Sequence, residues 1–133
     1  MSHLFRWFKF NLVGVLGMAV QLSALGLLNR CLPGRYFVTT ALALELTLLH
    51  NFAWHIRFTW RDRRDQSPRL MQLVRFHLSN GLFSALGNLS LVWLLVRRAH
   101  LPLLLSNFTA ILCCSLVNFY LGDAWIFASS PTP

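Results

Sequence analysis

The sequence predicts an all-α integral membrane protein whose four transmembrane helices form two similar hairpins in parallel orientation. Of its 133 residues, 56% are hydrophobic and only 12% are charged, whereas soluble domains carry about 25% charged residues. A core cannot hide this excess of apolar side chains, because small chains bury proportionally little surface. Lipid must therefore be the solvent for most of the chain. We expect one domain over residues 1–133.

The apolar runs place the four spans at residues 10–29, 36–56, 76–96 and 99–122, the last continuing to 127. A helix needs about 20 residues to cross a bilayer, and each run is near this length. Helices are favoured over strands because a helix satisfies its own backbone hydrogen bonds in lipid. Pro33-Gly34 and Pro102 mark two short turns. The runs therefore predict two hairpins joined by the basic link 57–75.

The parallel orientation is predicted from a pattern that occurs twice. Asn51-Phe52, Phe58 and Trp60 recur at the same spacing as Asn118-Phe119, Trp125 and Phe127. Arg6-Trp7 and Asn11 likewise recur as Arg75-Phe76 and Asn80. The matched positions indicate two helical hairpins in the same orientation, a parallel repeat. Chance similarity between apolar helices is the alternative.

The distribution of basic residues predicts the topology. The N-terminal segment and the link 57–75 carry eight Lys and Arg residues, against four on the opposite side. The positive-inside rule then places both termini in the cytoplasm. The net charge of +8 comes from residues between apolar runs. This arrangement favours membrane lipids or a lipid-linked phosphate as partners, and argues against nucleic acid.

A phosphate site is predicted at the cytoplasmic boundary of the second span. Arg57, Arg61 and Arg75 are its candidate ligands, because arginine makes bidentate hydrogen bonds to phosphate. His55 and Trp54 lie beside them. Interfacial anchoring of the helix end explains these aromatic and basic residues equally well, so both interpretations stay open.

Polar residues inside the spans predict a path for a polar group. Asn51, Asn118 and Gln21 are candidate lining residues, although amides also hold membrane helices together. Glu45 lies within an apolar run, where acids face a bundle interior or water. Glu45 either couples protons or contacts substrate, or is a neutral carboxyl bonded to a neighbour such as Gln21. We expect a homodimer, because four helices offer little interior in which to hide these groups.

The sequence has no motif that predicts catalysis. It contains no nucleophile elbow, phosphate loop, paired catalytic carboxylates or metal-ligand spacing. Its three cysteines give no disulfide framework and no metal motif. We therefore expect no enzymatic activity, no cofactor and no metal.

The ordered set of motifs resembles the GtrA-like family of small four-span membrane proteins. It comprises residues 10–14 (Phe-Asn-Leu-Val-Gly), Gly17, Gln21, Asn51-Phe52, residues 57–60 (Arg-Phe-Thr-Trp), Arg75-Phe76, Asn80, Asn118-Phe119 and residues 125–127 (Trp-Ile-Phe).

The resemblance implies translocation of a polyprenyl-phosphate-linked sugar across the bacterial inner membrane, for modification of cell-surface polysaccharide. A non-transporting anchor or scaffold for a membrane glycosyltransferase is the alternative that it implies. A small proton-coupled exporter is a second alternative, suggested by the size and the membrane carboxyl. The small multidrug resistance family carries its Glu in the first span, whereas Glu45 lies in the second, which counts against that alternative.

Overall fold

The computed structural model describes residues 2–63 and 68–128, and every regular element within them is helical. The chain divides into two compact units, Met1–Asp62 and Arg63–Pro133. Each unit is a helical hairpin, so the predicted all-α class is confirmed. The link residues 64–67, which include Arg64, lie outside the described residues.

The first unit pairs a long helix with a shorter one. Helix α1 spans His3–Cys31, α2 spans Tyr36–Trp54, and a π-helical segment, π1, continues α2 through His55–Thr59. Helix α1 begins seven residues before the predicted span, because the Ser2 hydroxyl accepts the Phe5 N–H (3.4 Å) and caps an additional helical segment. The α1–α2 turn contains Gly34 at φ +77°, a conformation that suits glycine.

The second unit has the same plan with an irregularity in its first helix. Helices α3 (Arg69–Phe76) and α4 (Ser84–Arg97) are joined by π2 (His77–Phe83) without a break. Helix α5 spans Leu103–Leu121 and continues as π3, Gly122–Ile126. Pro102 precedes α5, and His100 adopts φ 54° in the turn before it.

Three helical stretches among the described residues are long and apolar enough to cross a membrane: His3–Cys31, Arg69–Arg97 and Leu105–Ile126. At 1.5 Å per residue, the 29-residue α1 is about 43 Å long, against about 30 Å of hydrocarbon. Most large apolar side chains on these helices are exposed, as a lipid environment requires. The chain is a multi-pass membrane protein.

Small residues form the packed face of each second helix. Thr39, Ala43 and Thr47 are buried at four-residue spacing on α2, and Ser106 and Ala110 are buried on α5. Residues four apart lie on one side of a helix. Small side chains there allow two membrane helices to approach closely. Each hairpin is therefore held by a narrow stripe of small side chains.

The second helices of the two units correspond residue by residue. Helix α5 begins 67 residues after α2 and ends 67 residues after it, and π3 follows π1 at the same interval. Burial follows this correspondence in the pairs Thr39 and Ser106, Ala43 and Ala110, Thr59 and Ile126, and Trp60 and Phe127. The predicted similarity of the two hairpins extends from motifs to packing.

The first helices correspond in a different register from the one that the motifs indicated. Burial matches Arg6 with Gln72, Phe10 with Phe76 and Val13 with Ser79, each 66 residues apart. Beyond π2 the matching positions are 67 residues apart. Gly17 contacts Asn51 in the first hairpin, and Ser84, 67 residues later, contacts the matching Asn118 in the second. One additional residue in π2 accounts for the change, as expected of a π insertion. The sequence pairing of Arg6 with Arg75 is therefore not the structural one.

Candidate functional site

The end of the first hairpin is closed by an aromatic cluster around His55. The imidazole stacks on Phe10 with a centroid distance of 4.9 Å and meets Trp60 edge-on at 5.1 Å. Its Nδ1 lies 3.0 Å from the Thr59 hydroxyl oxygen. Only 2% of His55 is exposed. The histidine predicted as a phosphate-site residue is therefore part of the packing that joins π1 to α1.

Two cations of α1 are held against the same end. The Arg6 guanidinium lies 2.8 Å from the Asp62 carboxylate, and Lys9 sits 4.6 Å above the Phe58 ring and donates to the Phe58 carbonyl at 3.4 Å. Burial would raise the pKa of Asp62, but the hydrogen bond and charge of Arg6 outweigh it and lower that pKa. Arg6 and Lys9 are thus engaged within the hairpin.

Arg57 and Arg61 are the exposed cations near this cluster. Trp54, which is 45% exposed, lies one helical turn before Arg57 and meets Phe58 edge-on at 6.4 Å. Exposed tryptophan and arginine at a helix end form an interface with lipid headgroups. Both predicted phosphate ligands of the first unit, Arg57 and Arg61, are therefore exposed and accessible to a phosphate group.

An apolar groove of about 520 Å³ runs along the first hairpin and ends at Trp54. Small side chains on α1 leave this space open, and His50 lies on the α2 side. The groove is lined by Leu16, Ala19, Val20, Ser23, Ala24, Leu27, His50 and Trp54. Its wall is suited to an aliphatic chain, because it is almost entirely hydrocarbon.

The predicted polar path residues of the first unit do not form one cluster. Asn51 packs directly against Gly17, and its Oδ1 lies 3.2 Å from His50 Nδ1. Gln21 is half-buried, one turn beyond Gly17. Glu45 is exposed. It lies two residues from both Ala43 and Thr47 on α2, on the side opposite their packed face.

The end of the second hairpin has its own ion pair. Arg63 forms a salt bridge of 2.7 Å with Asp123 and donates to the Phe127 carbonyl at 3.1 Å. The Arg75 guanidinium lies 5.5 Å from the Trp125 ring centroid and donates to the Trp125 carbonyl at 3.3 Å. Arg75, a predicted phosphate ligand, is thus half-buried and held against π3.

Asn118 contacts the first helix of its own hairpin. Its Nδ2 donates to the Ser84 hydroxyl at 3.1 Å, and the residue is 9% exposed. Beside this bond lies a cavity of about 190 Å³ whose wall includes Gly87, Leu91 and Cys114. The matching residues Asn51 and Asn118 therefore have the same structural role, because each contacts the first helix of its own hairpin from the second.

Comparison with known proteins gives the same family as the motifs. The GtrA/DPMS transmembrane-domain profile matches residues 9–130, which is nearly the whole chain. The chain belongs to the GtrA/DPMS transmembrane-domain family. The resemblance stated from the motifs is confirmed.

The dolichol-phosphate mannosyltransferase of Pyrococcus furiosus is a relative of this GtrA/DPMS chain. The two are 34% identical over 92 residues. The match covers 68% of this chain but 25% of the relative, so this chain corresponds to a quarter of that protein's length.

Sequence reasoning missed the π segments and two ion pairs among the described residues of this GtrA/DPMS domain. The π segments have no simple residue signature, because they reflect one additional residue in a continuous helix. The pairs Arg6–Asp62 and Arg63–Asp123 join residues 56 and 60 positions apart. The change of interval from 66 to 67 residues that marks π2 is read from burial, and the sequence motifs of the first helices, which are 69 residues apart, do not show it.

Proposed function

We propose that this protein translocates a polyprenyl-phosphate-linked sugar across the bacterial inner membrane, for modification of cell-surface polysaccharide. The observation that carries the proposal is the groove of the first hairpin, which is apolar along its length and ends at Trp54, with the exposed Arg57 one turn beyond. An aliphatic chain with a phosphate at one end has the matching distribution of polarity. The mannosyltransferase relative, named for dolichol phosphate, supports this class of lipid.

In this proposal Arg57 and Arg61 receive the phosphate, because exposed guanidinium groups can form charge-assisted bonds to it. Arg75 is a second candidate, although its contacts with Trp125 would have to be exchanged. Within the first unit, Asn51 and Gln21 would offer amides to the sugar, and within the second unit Asn118 is a separate candidate. Asn118 would then exchange its bond to Ser84 for one to a sugar hydroxyl. The protein itself breaks no covalent bond.

The proposed topology has four spans, with the two hairpins parallel and both termini in the cytoplasm. Helix α2 has 19 residues and runs into π1, which provides enough length to cross the hydrocarbon. Cys31 is exposed at the end of α1, so its labelling tests whether that end lies on the outer side of the membrane. With Cys113 and Cys114 replaced by Ala, a membrane-impermeant maleimide should label Cys31 in intact cells. In a Cys31→Ser background, it should label Ser2→Cys only after permeabilisation.

We propose that the working form is a homodimer. Glu45 is exposed on the side of α2 that faces away from its hairpin partner. A carboxyl facing acyl chains is costly, so a second copy covering that side would lower the free energy. Crosslinking in bilayers at low protein density should give dimers. Monomers alone would reject this part of the proposal.

Leaflet exchange in liposomes tests translocation directly. The purified protein is reconstituted with a fluorescent polyprenyl-phosphate hexose, and the outer-leaflet fraction is followed with an impermeant quencher. We expect exchange faster than in protein-free liposomes, and slower exchange when Arg57 and Arg61 are both replaced by Ala. Exchange equal to that of empty liposomes would reject the translocation proposal.

A non-transporting scaffold for a glycosyltransferase is the second candidate. The observation that favours it is the length relation, because the region similar to this chain makes up a quarter of a mannosyltransferase. This function predicts co-purification of a glycosyltransferase together with no leaflet exchange. That pair of results separates it from translocation.

A further inference from the structure

Three buried polar atoms cluster in sequence on the irregular helix of the second unit. Ser79 Oγ, Asn80 Nδ2 and Asn88 Oδ1 are buried and have no hydrogen-bond partner among the described residues. Ser79 is fully buried, and both Ser79 and Asn80 lie in π2. Buried polar groups are almost always paired, so each exception calls for a physical explanation.

The hairpin fold does not require a polar side chain at the positions of Ser79 and Asn80, whereas Asn88 matches Gln21 of the first unit, which is also polar. In the first unit the position matching Ser79 is Val13, which is also fully buried, and Gly14 matches Asn80. There α1 continues as a regular α-helix. The second unit thus has a serine where the first has a valine, and a π segment where the first has a regular α-helix. The first unit forms its hairpin without either feature. π segments occur frequently at functional sites.

The three groups have the donors and acceptors needed to form hydrogen bonds with the hydroxyl groups of a ligand. A serine hydroxyl both donates and accepts, the Asn80 amide nitrogen donates, and the Asn88 amide oxygen accepts. Ser84 lies between them, four residues after Asn80 and four before Asn88, and its hydroxyl already accepts from Asn118 Nδ2 at 3.1 Å. The helix therefore carries a polar row with mixed donors and acceptors. A sugar presents the same mixture, since each of its hydroxyls donates and accepts.

We propose that π2 and the start of α4 form a sugar-recognition site within the second unit, where Ser79, Asn80 and Asn88 bind hydroxyls of the translocated donor. This inference rests on the translocation function proposed above. Because Ser79 is fully buried, the sugar reaches it when the helix rearranges. The π segment π2 is an irregularity within an otherwise α-helical stretch, so it is the place on this helix where we expect such a rearrangement.

The proposal predicts opposite effects on binding and on stability. Ser79→Ala removes a buried hydroxyl without a partner, so the unliganded protein should be as stable as the wild type or more stable. The same change should lower affinity for a sugar-bearing donor. A merely structural serine would give the reverse result, a loss of stability on substitution.

Binding is measured with polyprenyl phosphate and with its glucose, galactose and mannose derivatives, on the full-length protein in nanodiscs. For the preferred sugar, Ser79→Ala and Asn80→Ala should each weaken binding about 3- to 10-fold, the equivalent of one hydrogen bond. Affinity for bare polyprenyl phosphate should not change. Ser90→Ala, at an exposed position of α4, and Asn107→Ala, whose amide bonds its own helix at Leu103, are matched controls.

The outcomes separate this inference from the function on which it rests. Wild type that binds neither the bare lipid nor its derivatives would reject the proposed function, and the sugar site with it. Wild type that binds bare lipid and all derivatives equally would reject the sugar site alone. A sugar preference that survives Ser79→Ala and Asn80→Ala, or a loss of stability in Ser79→Ala, would also reject the sugar site.

Discussion

Gly17 is the position at which the structure makes its sharpest stability prediction. A Cβ atom there would lie 2.2 Å from Asn51 Oδ1, 2.6 Å from Nδ2 and 2.8 Å from Cγ. Real Cβ atoms do not approach this closely, so the Asn51 side chain must move when Gly17 becomes Ala. The first hairpin loses close contact between α1 and α2 at this point. We therefore expect Gly17→Ala to be destabilising relative to the same substitution at a glycine that has room for a Cβ atom.

Two other glycines of α1 provide matched controls. Gly14 and Gly26 have nothing within 4 Å of an added Cβ. Replacing glycine by alanine inside a helix gains about 1 kcal/mol of propensity at each of the three sites. That gain cancels when Gly17→Ala is compared with the controls. The remaining difference is the overpacking cost of about 1–3 kcal/mol. The lower half of that range applies, since an asparagine side chain can swing aside.

The assay is reversible unfolding in mixed micelles, followed by the fluorescence of the five tryptophans. Gly17→Ala should unfold at lower denaturant than Gly14→Ala or Gly26→Ala. In an Asn51→Ala background the difference should shrink by about 0.5 kcal/mol or more, because the two residues are in contact. Equal stability of the three alanine variants would refute the contact between Gly17 and Asn51.

Other predictions concern charge. The lowered pKa of Asp62 means that its pairing with Arg6 stabilises the fold above the ordinary carboxyl pKa. This stabilisation is lost as pH falls through the lowered value, so wild type and Asp62→Asn should converge in unfolding curves at low pH. Arg57→Ala should slow leaflet exchange and weaken binding of polyprenyl phosphate, whereas Arg97→Ala at the other end of a hairpin should change neither. If Glu45 couples protons, Glu45→Gln should abolish the pH dependence of exchange, and normal exchange at every pH would make it a structural residue.

The helices themselves could be predicted because lipid imposes a simple rule. Every backbone group must be satisfied within the segment, so an apolar run near 20 residues gives a helix, and α2 begins at Tyr36 as predicted. Helix ends were harder to predict. Ser2 extends α1 toward the N-terminus, and α3 begins inside the basic link at Arg69. Charged residues at these ends pair or stack locally, which hydropathy does not report.

The candidate site was predicted by residue type but not by environment. His55 and Arg57 are two residues apart, yet one is buried against Phe10 and the other is exposed. The difference arises from the direction in which π1 turns each side chain, and composition does not contain that information. Arg75 was likewise predicted as a ligand, although its contact with Trp125 depends on a residue 50 positions away. Neither contact is visible in one sequence.

The internal repeat separates what the hairpin needs from what it does not need. Positions that agree between units, such as Ala43 with Ala110 and Trp60 with Phe127, are explained by packing two helices closely. The matching positions Val13 and Ser79 differ, because Ser79 buries a hydroxyl that lacks a hydrogen-bond partner among the described residues. A duplicated fold tolerates such a loss of stability where function repays it. This asymmetry is the physical reason to look for substrate recognition in the second hairpin.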